Sequence, residues 1–266
     1  MLTEAKNLFR FLIESIKCNL KSAVEYKKSF FVQMILMLIN NGFFLIFWVV
    51  VFNINGGSIE GITMKDILYL WSVPTATWGF ANFLFGGFRE INRYVVNGQL
   101  DTYFLQPKNM LLSVGVSKTD FGACGDLIYG IVLGMIACES LVEGLLMICY
   151  MFFGTILTIS SFIIIRSLAF YLGEIDQIAH VYENSLFITL STYPMNIFSD
   201  FFKFLMYTVI PVAYLVHIPI KLSYGFDIKQ LLLIAIVSIG LFVLANVFFN
   251  KSLKKYESGN SMLMRS

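Results

Sequence analysis

The chain has 266 residues, of which 58% are hydrophobic, 16% aromatic and only 14% charged, and its mean hydropathy is +0.75. Soluble domains carry about 25% charged residues, so this composition excludes one and describes an integral membrane protein. The net charge of +2 argues neither for nor against nucleic acid, for which no role is expected; the informative quantity is where the 19 Lys and Arg lie.

At about 20 residues per spanning helix the length allows about six spans and no sizeable soluble domain. Residues 1–28 form the first unit. Charges at Glu4, Lys6, Arg10, Glu14, Lys17 and Lys21 exclude a cleavable signal. Phe9, Ile13, Ile16 and Leu20 recur at helical spacing, with Lys6, Arg10, Lys17 and Lys21 on the other face. That pattern predicts an amphipathic helix lying on the inner leaflet.

Charge-free stretches then mark a membrane domain over 29–250, with predicted spans at 29–59, 67–88, 127–138, 144–165, 204–220 and 230–250. The third must extend beyond its twelve uncharged residues, with Asp126 at one end and a tight turn holding Glu139 and Glu143 at the other. The fifth is interrupted by Pro211 and closed by Pro219, and the uncharged stretch 184–199 precedes it, broken by Tyr193 and Pro194. The runs are continuous rather than alternating, which predicts helices and not barrel strands. The expected fold is therefore an all-α membrane protein of six transmembrane helices, followed by a tail over 251–266.

With both ends on the cytosolic side, sixteen of the cations fall on inner segments and only Lys65, Lys221 and Lys229 on outer loops. This asymmetry predicts a multi-pass protein of the cytoplasmic membrane with both termini inside.

Soluble-enzyme chemistry is scarce. There is no GxxxxGK[ST] sequence, so the chain has no loop to cradle a nucleotide phosphate and is not expected to be an enzyme. Cys18, Cys124, Cys138 and Cys149 have no metal-ligand spacing, and His180 and His217 lie on opposite sides of the expected membrane. No metal site is expected, although His180 and Glu183 share a helix face, and no catalytic constellation for an intramembrane enzyme is visible. Asn40, Asn41 and Asn82 interrupt the first two spans and are candidates for pathway contacts or for bonds between helices. Gly130 and Gly134 form a GxxxG pair, which permits close packing of two backbones, within the chain or against a second subunit.

The longest inner loop runs from Arg89 to about Gly125. It contains Tyr94, Val95, Val96, Tyr103, Phe104 and Leu105, more apolar residues than a solvated connection needs. Its segment Asn97-Gly98-Gln99-Leu100-Asp101-Thr102-Tyr103-Phe104-Leu105-Gln106-Pro107 resembles the G-x-[LI]-D-x-x-L-x-[RQ]-P run of type-2 ATP-binding-cassette export permeases, with Phe104 where leucine is commoner. Tyr193-Pro194, Ile210-Pro211-Val212-Ala213 and Ile218-Pro219 are similar to that family's YP…IP-x-A…P pattern. The tail Lys255-Tyr256-Glu257-Ser258-Gly259-Asn260 resembles its closing basic-Tyr-x-[SG] run. The likeness covers nearly the whole chain and lies with the branch whose ATPase is separately encoded.

The resemblance implies a half-transporter that binds no cofactor itself. It would pair with a second six-helix permease, usually non-identical and otherwise a second copy, amid membrane lipids. Two copies of a cytosolic ATPase would bind ATP and Mg. The loop 89–125 would couple to that ATPase through Gly98, Leu100, Asp101, Gln106 and Pro107, with Tyr103 and Phe104 as apolar plugs. Pro211 and Pro219 would fall in a re-entrant outer gate between helices five and six. Export of a hydrophobic or amphiphilic substrate is the leading expectation; the alternative is a permease–ATPase sensor or immunity complex that binds a membrane-active peptide without moving it.

Overall fold

The computed structural model describes residues 2–25, 27–59, 61–105, 109–221, 225 and 227–256. Helices dominate, and the described residues make an all-α membrane protein with one two-residue β-hairpin. In chain order the elements are α1 (Leu2–Glu25), α2 (Lys27–Ile54), β1 (Ser58–Ile59), β2 (Ile62–Thr63), α3 (Met64–Phe85), α4 (Ile91–Val96), α5 (Asp101–Phe104), α6 (Met110–Gly115), α7 (Ala123–Ala137) and α8 (Leu141–Ser167). After α9 (Ala169–Leu172) come α10 (Asp176–His180), α11 (Ile188–Thr192), α12 (Asp200–Tyr207), α13 (Ala213–Ile220) and α14 (Ile228–Leu253). Stretches Phe31–Ile54, Leu141–Leu172 and Ile228–Leu253 are long and apolar enough to cross a membrane.

Helix starts follow local chemistry. Thr63 and Asp66 form a reciprocal capping box at α3, with the Thr63 amide donating to Asp66 at 2.8 Å. Ser140 accepts from the Glu143 amide at α8, and Asp227 accepts from the Lys229 amide at α14.

The core is assembled on α3 and α7, which cross at very short range. On α3 the crossing face is Ser72, Ala76 and Gly79; a Cβ on Gly79 would fall inside the backbone of Leu127, and one on Gly130 inside that of Ala76. Gly130 thus makes a close backbone approach within this chain. Gly134, one turn on, meets side chains and no backbone: Met147, Met151 and, further off, Ser72. α8 packs beside this pair, and α14 lies along α8 through Ser238, Ala245 and Phe249, each with no exposed surface. By contrast α2 and α14 leave long apolar faces uncovered, including Ile35, Phe43 and Val50 on the former and Ile236, Val243 and Val247 on the latter.

The fifth span differs from expectation. Residues 204–220 are not one helix: α12 and α13 are separated by a break at 208–212. The long helical run instead covers 176–192, where α10 passes through a π-helical segment, Val181–Phe187, into α11. It escaped detection because it carries Asp176, His180 and Glu183. The break and α13 pack into the bundle, while α12 buries only Met206: the Tyr182 hydroxyl donates to the Val209 carbonyl at 3.2 Å, and Ile210 and Val212 are buried with Leu157 and Phe187. The end of α13 returns to Ile67, Leu70 and Phe52. Pro211 lies in the break and Pro219 in the last turn of α13.

Candidate functional site

Two features dominate the end of the bundle where α3 finishes and α7 begins: an anchored apolar loop, and a buried charge cluster behind it. The loop starts with the 3-10 segment Gly86–Glu90, held against α6. A Cβ on Gly87 would strike the Val114 carbonyl, and one on Gly115 the Phe88 ring. Asn92 adds a cross-link to the turn after α9, donating to Glu174 at 2.8 Å and accepting from the Ile175 amide at 3.2 Å.

Gly98 has a defined job in the backbone. Its φ of +69° closes α4, with the Gly98 amide donating to Val95 and the Gln99 amide to Tyr94. This is the left-handed helix termination that glycine adopts without strain. Leu100 is then fully buried and fixes the turn from beneath. Asp101 opens the four-residue helix α5 and lies beside the Tyr256 hydroxyl.

The two expected plugs do not behave alike. Tyr103 turns inward onto Tyr94, with ring centroids 5.7 Å apart, and burial raises its phenol above the ordinary range. Phe104 and Leu105 point out, 52% and 88% exposed. The outward apolar pair is thus Phe104–Leu105, one residue further along than the sequence suggested. Gln106 and Pro107 lie outside the described residues.

Behind the loop, Glu183 is completely buried in the π-helical segment and is held by two arginines. Arg166, at the end of α8, donates to both carboxylate oxygens at 2.7 Å, and Arg89 Nε donates at 2.9 Å. Arg166 also pairs with Asp176, while Arg89 reaches Asn82 Oδ1 at 3.1 Å and Asn184 Oδ1 at 3.3 Å. The Arg89 guanidinium lies 5.3 Å from the centre of the Trp78 ring. A buried carboxylate of this kind is stable only when its lone pairs are taken up by charged donors. One cluster therefore joins the loop after α3, the end of α8 and the run 176–192. A cavity of about 720 Å³ opens on it, lined by side chains of both signs, among them Arg93, Lys118, Glu174 and His180.

The amides separate. Asn82 is buried in the charge cluster. Asn41 is buried elsewhere, donating to Asp126 at 2.6 Å, and its carbonyl accepts from Tyr129 at 2.9 Å. Asn40 is exposed on α2. Gly134 lines an apolar groove of about 590 Å³ between α3, α7 and α8. His180 sits at the cavity wall and Glu183 is committed to arginines; no group of metal-binding side chains occurs among the described residues. Sequence reasoning missed Arg166 and Glu183 as a pair, yet a signal existed: Glu183 is the only Asp, Glu, Lys or Arg between Asp176 and Asp200. An isolated acid in an apolar stretch calls for a buried partner.

The family model described as ABC-2 family transporter protein matches residues 38–260. The chain belongs to the ABC-2 transporter family, and is thus the membrane-embedded component of an ABC transporter that works with ATPase subunits. The matched span contains the loop, the charge cluster and the broken segment at 200–220, and begins after α1. Comparison with curated proteins returns no match.

Proposed function

We propose that this chain is the permease subunit of an ATP-driven exporter. Six spans (α2, α3, α7, α8, the run 176–192 and α14) carry it across the cytoplasmic membrane with both termini inside. It acts with a second permease, a non-identical one rather than a second copy, and with two copies of a separate cytosolic ATPase that bind ATP and Mg.

The observation that carries this reading is the segment 97–105. It presents Phe104 and Leu105 outward on a base tied to the bundle through Gly87, Asn92 and Leu100. Solvent-facing apolar residues on a stiff support mark a surface for a partner protein. Force applied there reaches Arg89, and through Glu183 the run 176–192, whose π-helical segment is the kind of irregularity found at functional positions. The break at 208–212 and its two short helices act as the outer gate, with Ile210, Pro211 and Val212 of the break buried against the bundle. Uncovered apolar faces on α2 and α14 supply surface for the second permease and for lipid. An amphiphilic cargo fits a bundle that combines a mixed-charge cavity with apolar walls.

Affinity purification of the tagged chain from its native membrane tests the assembly. The expected eluate contains an ATP-hydrolysing P-loop subunit and a second permease, and its vesicles accumulate cargo only with ATP. A chain that purifies alone and moves nothing when ATP is supplied contradicts the reading.

A further inference from the structure

The chain does not leave the bundle when α14 ends. Backbone bonds from Lys255 to Ser252 and from Tyr256 to Leu253 turn it back under the 97–105 segment. There the Tyr256 ring stacks on Phe104, centroids 5.8 Å apart and planes 26° from parallel, and meets Phe170 edge-on at 6.4 Å. Its hydroxyl lies next to Gly98: a Cβ added to that glycine would stand 3.8 Å from the phenolic oxygen. The hydroxyl is buried without a hydrogen bond of standard geometry, beside the Asp101 carboxylate. Burial, and then Asp101, push the phenol up to about 12, so the side chain stays neutral at any physiological pH.

Helix α5 needs such support. Four residues cannot hold a helical turn alone, since nucleation fixes several dihedrals for a single hydrogen bond. Leu100 secures its start and Tyr103 its inner face. Phe104 has one face bare and the other on Tyr256.

We propose that Tyr256 is a positioning residue that clamps the 97–105 segment to the end of α14 and to the turn at Phe170, and so fixes the direction in which Phe104 and Leu105 are presented to the ATPase. The clamp gives the tail's Tyr256 a mechanical role. The functional half of this inference rests on the proposed ATPase-docking role of the segment; the clamp itself does not. The clamp acts through the ring, which stacks on Phe104 and meets Phe170 edge-on.

Hydrogen exchange on the full-length chain in lipid nanodiscs tests the clamp without any ATPase. In Tyr256→Ala, amides of residues 101–105 should exchange about 3- to 10-fold faster, the range expected for losing an aromatic pair, while α8 and α14 keep their protection. Tyr256→Phe should restore protection to within about twofold of wild type. Unchanged exchange at 101–105 in Tyr256→Ala overturns the clamp, as does failure of the Phe variant to rescue. If Tyr256→Ala loosens α14 as well, Tyr256→Leu, which fills the space without a ring, is read by the same criteria. In the ATPase complex, Tyr256→Ala should lower kcat for ATP hydrolysis several-fold with KM for ATP unchanged, because the nucleotide site is on the other subunit. Faster exchange with wild-type kcat would show that the clamped segment does not drive the ATPase. Absence of any ATPase from the wild-type protein would instead defeat the docking reading and leave the exchange result standing.

Discussion

Arg89 Nε donates to the Glu183 carboxylate at 2.9 Å, joining the base of the loop after α3 to the π-helical part of the run 176–192. The two residues are 94 positions apart in sequence, and Arg166 binds the same carboxylate from a third element. Glu183→Gln leaves Arg89 and Arg166 close together with only Asp176 to balance them. It should cost about 3–5 kcal/mol, whereas Arg89→Gln, at a side chain 24% exposed, should cost less. Thermal unfolding of the purified variants measures both, and equal losses would contradict this ordering.

The α3–α7 crossing predicts an ordering among glycines. Gly130→Ala and Gly79→Ala each place a methyl group in opposing backbone and should destabilise by about 1–3 kcal/mol. Gly134→Ala meets side chains alone, the nearest being two flexible methionines, and should be tolerated within about 0.5 kcal/mol. Unfolding midpoints in one detergent test the series; a larger effect at Gly134 than at Gly130 would place the tight approach elsewhere.

Adjacent amides on α2 should behave differently. Asn41→Ala removes the described donor to the buried Asp126 carboxylate and should cost about 1–3 kcal/mol. Asn40 is exposed, so Asn40→Ala should leave stability within about 0.5 kcal/mol. Should Asn40→Ala instead abolish transport with folding intact, that residue faces the pathway.

How much of this was legible in the sequence depended on whether charge and periodicity act locally. Apolar runs gave α2, α8 and α14 because no charge falls within their long apolar stretches. The run 176–192 was hidden because Glu183 is neutralised by residues 17 and 94 positions away, a pairing that a charge-counting rule reads as a boundary. Gly98 stood out as a motif residue, and its left-handed φ supplies the reason. The inward turn of Tyr103 could not be foreseen, since a helix of four residues has no face to read, and the contact of Tyr256 with Phe104 joins the tail to a loop 152 positions earlier.

The proposed orientation makes Thr102 cytosolic and Ser58 external. Both are exposed, unlike Ser113, which is buried and a poor reporter. With Cys18, Cys124, Cys138 and Cys149 replaced, a Ser58→Cys variant should react in intact cells with an impermeant thiol reagent, and Thr102→Cys only after the membrane is opened. Strong external labelling at position 102 reverses the topology.

The central claim is that Phe104 and Leu105 form the ATPase-docking surface of this permease. The most direct measurement replaces both with alanine and follows membrane insertion, ATPase co-purification and ATP-dependent transport in the same preparation. Both side chains are exposed and lie outside the core clusters, and Phe104 contributes only its stack on Tyr256, so the variant should insert and keep its unfolding midpoint close to wild type, while the ATPase is lost or its hydrolysis no longer moves cargo. A variant that retains the ATPase and transports at the wild-type rate would contradict the account.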